Sequence, residues 1–260
     1  MLHCRGITKR FQGDCGPLAA IEHIDLDLAE KEFLCILGPS GCGKSTLLRL
    51  IAGLVPPTGG SIEFAAGGGS TATRPRCAMV FQDHGLFPWM TVLENTGFGL
   101  KMQGMARDER EKRSRAVLEQ VGLGDFVRNY PNELSVGMRQ RVALARAFVS
   151  RPDVLLMDEP FASLDAQSRA ILQRDLRIWQ EKRSVPVIFI THDIAEALVL
   201  ADRILVLSAR PARVVADIPL PQDRSHSFID GFDPELGEIG REIWGMLGQE
   251  TVRVPQECVR

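Results

Sequence analysis

Five consecutive apolar residues, Phe33 to Leu37, run into Gly38, and from there to Thr46 the chain reads G-P-S-G-C-G-K-S-T. Apolar residues then recur at helical spacing as Leu47, Leu50, Ile51 and Leu54. A strand buried on both faces, a glycine-rich turn and an amphipathic helix therefore follow one another. The segment satisfies G-x-x-x-x-G-K-[ST] in the context where that pattern has a mechanism. Across Gly38, Pro39, Ser40, Gly41, Cys42 and Gly43 the backbone can curl so that successive N–H groups point inward at phosphate oxygens. The helix adds the positive end of its dipole at the same place. Lys44 supplies a point charge for β and γ phosphates, Ser45 offers a hydroxyl to Mg²⁺, and Thr46 completes the nucleotide-binding run. On its own the pattern says only phosphate-loop nucleotidase, because GTPases and small-molecule kinases share it.

The rest of the chain alternates. Strand-like Val154 to Met157, Val187 to Thr191 and Ile204 to Leu207 are separated by helical patterns at about Ala166 to Lys182 and Ile194 to Leu200. Such alternation means a largely parallel sheet covered on both faces, to which Val214 to Ile218 adds an edge strand. Ile24 to Leu28 alternates apolar and acidic, the period of a half-exposed strand. Turns at Pro56 to Gly60 and Gly67 to Gly69 join small antiparallel strands, and Cys77 to Phe81 is another buried strand. The charged stretch Arg107 to Gln120 is a helix with Val117, Leu118 and Val121 on one face, and a second helix runs from Met138 to Phe148. The expected fold class is therefore α/β: a P-loop NTPase core with a mostly parallel sheet, an antiparallel β subdomain and an inserted helical subdomain. The catalytic domain is placed at residues 1–220 with its helical lobe at about 83–150. In the tail, 221–260, Leu236, Ile239, Ile243 and Leu247 share a helical face expected to pack on the core.

Composition excludes some partners. A net charge of −2 over 260 residues leaves no basic footprint, so no nucleic acid is expected. No apolar run approaches the ~20 residues needed to span a bilayer, and the start MLHCRGITKRF turns polar too soon for a secretory signal, which predicts a cytosolic protein. Cys4, Cys15, Cys35, Cys42, Cys77 and Cys258 form no C-x-x-C pair and read as reduced thiols.

Val154 to Pro160 reads V-L-L-M-D-E-P, so two carboxylates emerge at the end of a locked strand, where α/β sheets bind ligands. Asp158 is the candidate Mg²⁺ ligand and Glu159 the general base that polarises the attacking water. Alone, a strand ending in two acids is common; downstream of a phosphate loop it gains a role.

Leu134 to Gln140 reads L-S-V-G-M-R-Q, and with the two motifs above the chain resembles the ATP-binding subunit of ATP-binding cassette (ABC) transporters. The resemblance extends to about Arg213, with the motifs in the family's order. Gln82 matches the glutamine at the entry to the helical lobe and a further Mg²⁺ contact. Ser163, Leu164 and Asp165 match the loop after the acidic strand, His192 the switch histidine, and Phe11 the aromatic that stacks on adenine. The run from Phe81 to Asn95, F-Q-D-H-G-L-F-P-W-M-T-V-L-E-N, is similar to the nitrate/sulfonate/taurine importer branch, where Pro88 and Trp89 would lie near the permease groove. The resemblance implies ATP hydrolysis with Mg²⁺, catalysed by Glu159, His192 and Lys44. It implies a head-to-tail dimer in which Ser135, Gly137 and Asp165 reach the nucleotide of the opposite copy. It also implies an integral membrane permease, a periplasmic substrate-binding protein, and a peripheral place on the cytoplasmic face of the inner membrane.

Three departures stand out. Val136 replaces the first signature glycine and is expected to be extended, Lys31 replaces a turn glycine, and Phe11 keeps the stacking face of the more common tyrosine. Two rivals remain at this point. A cassette ATPase acting on nucleic acid or ribosomes would carry a long coiled coil or tandem cassettes, and a P-loop kinase would leave the signature unexplained.

Overall fold

The structure is a computed structural model and describes residues 1–13, 16–64, 75–221 and 234–252. In chain order the first elements are β1 (Leu2–Gly13), β2 (Gly16–Leu28), β3 (Phe33–Leu37), α1 (Lys44–Ile51), β4 (Gly59–Phe64) and β5 (Cys77–Val80). Next come α2 (Val92–Met102), α3 (Arg107–Gln120), α4 (Val136–Val149), β6 (Val154–Asp158) and α5 (Ala166–Arg183). The last are β7 (Val187–Ile190), α6 (Ile194–Leu200), β8 (Arg203–Leu207), β9 (Ala212–Pro219) and α7 (Pro234–Val252). The fold is that of a P-loop NTPase, with a sheet of mixed parallel and antiparallel strands plus helices. The chain divides into two compact units, the described residues of 1–74 with 177–260, and those of 75–176.

In the first unit the strands follow the order β4-β1-β2-β9-β8-β3-β7. β3 lies between β7 and β8, parallel to both, and all five of its residues are buried. Continuous apolarity is what such a position selects, and each buried side chain contributes roughly 1.5–3 kcal/mol. Its start is locked: the Asp202 carboxylate accepts from the Phe33 N–H at 2.7 Å and from the Arg177 guanidinium at 2.6 Å. Lys31, just before, has φ 63°, the left-handed geometry that a family glycine would hold without strain. β1 pairs antiparallel with β2 and β4, and β2 alternates buried and exposed from Ile24 to Leu28.

Several expectations need correction here. Val214 to Ile218 belongs to β9, which is not an edge: it is parallel to β2 on one side and antiparallel to β8 on the other. β1 was not read from the sequence at all. Leu54 lies beyond α1 and is 61% exposed, so the apolar face of that helix ends at Ile51. The turn at Gly67 to Gly69, with Cys15 and Cys258, lies outside the described residues. In α7, Leu236 and Ile243 are buried, and a Cβ at Gly240 would stand 3.1 Å from Leu198 of α6.

In the second unit β5 and β6 are parallel neighbours, with Val80 opposite Met157. Helices α2, α3 and α4 pack on one another. Thr91 opens α2 with a capping box: its hydroxyl accepts from the Glu94 N–H while Glu94 accepts from the Thr91 N–H. Helix α4 begins at Val136, two residues earlier than read, because Ser135 caps it by accepting from the Met138 N–H at 3.3 Å. Val136 is thus the first helical residue, not an extended one, and its side chain meets no positive-φ strain.

Candidate functional site

The first unit presents the glycine-rich loop where β3 stops. Gly41 at φ 72° and Gly43 at φ 125° make the curl that no branched residue would adopt. A Cβ on Gly43 would also lie 3.0 Å from the Ala20 carbonyl oxygen. Gly43 opens α1 with no side-chain cap, so the first-turn N–H groups of that helix are left for an incoming anion. Lys44 is buried, and its Nζ donates back to the Gly38 carbonyl at 2.7 Å and the Pro39 carbonyl at 2.9 Å. The ammonium therefore lies under the loop it would serve. The Cys42 thiol is buried, and burial pushes its pKa up.

The partner strand supplies the next group. Ile36 pairs with Ile190 in parallel register, so His192 emerges from β7 at the same sheet end as Gly38 emerges from β3. The turn holding it is pinned on both sides. The Thr191 hydroxyl bonds to the Glu196 carboxylate, and Asp193 caps α6 by accepting from the Ala195 N–H at 2.9 Å and the Glu196 N–H at 3.3 Å. His192 itself is exposed. On β1, Phe11 is 40% exposed, with the Lys9 ammonium 4.9 Å from its ring centroid.

In the second unit the parallel register of β5 and β6 brings Gln82 and the acid pair Asp158–Glu159 to one sheet end. Asp158 closes β6, and Glu159 turns to φ 46°, a left-handed conformation costing about 1–3 kcal/mol in a residue with a side chain. Buried Pro160 and Phe161 follow it and hold the turn. Further on, the Asp165 carboxylate accepts from the Ser168 N–H at 2.9 Å, and that bond keeps it below the usual carboxylate range. Ser135 is exposed at the start of α4 with buried Leu134 behind it, and Gly137 has nothing closer to its would-be Cβ than the Ser168 hydroxyl at 4.0 Å.

A model of the ABC transporter family matches residues 21–162. An uncharacterised ABC transporter ATP-binding protein of Methanocaldococcus jannaschii is 45% identical, over 97% of this chain and 93% of its own length. The chain belongs to the ABC transporter family. A nitrate import ATP-binding protein of Synechocystis is 43% identical over 96% of each chain. A taurine import ATP-binding protein of Burkholderia thailandensis is also 43% identical, over 92% of this chain and 94% of its own. Among solved structures, a dimeric bacterial ABC transporter cassette superposes with a TM-score of 0.74 at 31% identity, covering 85% of this chain and 99% of that one. The same cassette is also solved as a post-hydrolysis dimer with ADP and phosphate. This ABC cassette is an ATPase, converting ATP and water to ADP and phosphate.

Some features of the ABC cassette have no signal in the sequence. The Arg210 guanidinium lies 3.3 Å from the Gly41 carbonyl, a second cation beside the phosphate loop. Asn95 is fully buried: its side-chain oxygen accepts from the Phe87 N–H, and its amide donates to the Phe87, Met90 and Thr91 carbonyls. That amide fixes the turn carrying Trp89, which is 69% exposed. No helix among the described residues is long and apolar enough to cross a membrane.

Proposed function

We propose that the protein is the ATP-hydrolysing subunit of an importer for a small solute of the nitrate, sulfonate or taurine kind. The observation that carries this reading is similarity along nearly the full length to nitrate and taurine import ATP-binding proteins. In this proposal the β and γ phosphates of ATP lie in the loop Gly38 to Thr46 over the uncapped start of α1, with Lys44 released from its two carbonyls to meet them. Phe11 stacks on adenine. Magnesium arrives with ATP as part of the substrate. The assigned donors, Ser45, Gln82 and Asp158, are hard oxygen ligands, which suits an ion that draws its remaining ligands from phosphate and water.

Glu159 takes the proton of the attacking water as the new oxygen–phosphorus bond forms, and the bond from the γ phosphorus to the β-phosphate oxygen breaks. ADP and inorganic phosphate result. His192 contacts the γ-phosphate as charge moves toward the leaving group. A second copy packs head to tail and brings Ser135, Gly137 and Asp165 to the nucleotide of its partner. The γ-phosphate then favours the closed dimer, and hydrolysis withdraws that preference. A separate integral membrane permease docks near Trp89, fed by a periplasmic binding protein, and the subunit sits on the cytoplasmic face of the membrane.

Affinity purification from solubilised membranes tests the assembly. Recovery with an integral membrane permease, and ATP hydrolysis stimulated in proteoliposomes by the solute-loaded binding protein, are the expected results. Recovery without a permease, with turnover stimulated by nucleic acid or ribosomes, would overturn the importer reading in favour of a non-transport cassette.

A further inference from the structure

The short segment after Gln82 makes a tight reversal: His84 and Gly85 both have positive φ, at 62° and 55°. Gly85 holds that geometry freely, whereas His84 carries a side chain and holds it at a cost, so the reversal gains from outside support. The support comes from Arg146, far along α4. Its Nη1 donates to the Gly85 carbonyl at 2.6 Å and its Nη2 to the His84 carbonyl at 2.9 Å, while the guanidinium stands 5.8 Å from the Phe87 ring centroid. Phe87 is in turn wedged against Phe98 of α2, with centroids 4.6 Å apart. The His84 ring is buried and faces the Val136 backbone, at the other end of the same helix.

Arg146 is half-buried, burial lowers its pKa, and no carboxylate among the described residues counters the effect. A cation is seldom placed this way for stability alone, because its desolvation is offset here only by two carbonyls and a ring face. What the placement does provide is a fork of two donors that defines the reversal to within a hydrogen bond. The clamped residues follow Gln82 almost at once and precede Trp89.

We propose that Arg146 is a positioning residue for Gln82: by latching the His84–Gly85 reversal to α4, it sets the direction in which Gln82 leaves β5, and so acts on ATP hydrolysis through Gln82. The latch rests on the assignment of Gln82 to the nucleotide site. It also ties the helix that begins at Ser135 to the residues that lead to Trp89.

A double-mutant cycle on the purified full-length chain separates this from a merely structural role. Arg146→Met keeps the unbranched stem and removes both donors. In the Gln82 background it should lower kcat about tenfold, the size of one charge-assisted hydrogen bond, with KM for ATP unchanged within about twofold. In a Gln82→Ala background the same substitution should change kcat no further. Arg146→Lys, able to hold one carbonyl, should fall between, and it replaces Arg146→Met in the cycle if that variant does not fold. An equal drop in both backgrounds, or no change in kcat in either, would overturn the latch. Wild-type turnover by Gln82→Ala alone would contradict the site assignment beneath it.

Discussion

Glu159 holds a left-handed φ of 46° directly after the strand that buries Leu155, Leu156 and Met157. Strain of that kind persists where the surroundings enforce it. Replacing Glu159 with Gln keeps the shape and removes the proposed base, so turnover should fall by about 10²–10⁴-fold while ATP binding survives. Phosphate-release kinetics beside equilibrium nucleotide binding check both halves, and wild-type turnover in Glu159→Gln would remove it from that role. His84 makes a different prediction, about pH. Burial first, and then the Arg139 guanidinium, lower its pKa from the ordinary 6.5. The unfolded chain therefore takes up a proton first, so the stability this group permits is full above about pH 6.5 and is lost as pH falls toward the folded value. Urea unfolding at about pH 8 and about pH 5.5 should show that loss, and His84→Asn should reduce the pH dependence. An unchanged dependence in His84→Asn would assign the loss to other groups.

Helix α2 shows what a capping box contributes. Thr91 and Glu94 satisfy each other's backbone donors, and Thr91→Ala should cost about 1 kcal/mol of unfolding free energy, readable by denaturant titration. A change near zero would mean that packing alone sets the start of α2. The same helix shows where sequence reasoning stops. Its interior holds Asn95, Gly97 and Gly99, residues of low helix propensity, and no helix was read at this position from the sequence. By contrast α3 is bounded in the structure by Arg107 and Gln120, as its charged pattern predicts. The buried strands β3, β6, β7 and β8 were legible to within a residue or two because a position covered on both faces selects unbroken apolarity, whereas β5, also read as buried, is half-buried at three of its four positions. β1 was not, because its register shifts interrupt the alternation that marks a strand. The motif residues could be assigned to strand ends and a helix start, since their spacing carries that information. The bonds of Lys44, Asn95 and Arg146 could not, because a side chain that donates to backbone carbonyls leaves no partner residue type to recognise.

At the scale of the whole molecule, one chain carries the two kinds of helix start to which the proposed function assigns phosphate. The start of α1 has no side-chain cap and a buried lysine, whereas that of α4 is capped by an exposed serine with an open glycine two residues on. In the proposed dimer these two ends belong to different copies of the protein: each ATP is held by α1 of one chain and completed by α4 of the other. Mixing Lys44→Ala protein with a Ser135→Arg variant tests this directly, because each is defective alone in both of its own sites. A mixed dimer contains one pocket with Lys44 and Ser135 both intact. Steady-state ATP hydrolysis should therefore reappear on mixing and approach about half the wild-type rate per mixed dimer if the two pockets work independently. Mixed dimers that form, as followed by subunit-specific tags, yet hydrolyse no more ATP than the two variants apart would contradict the shared pocket.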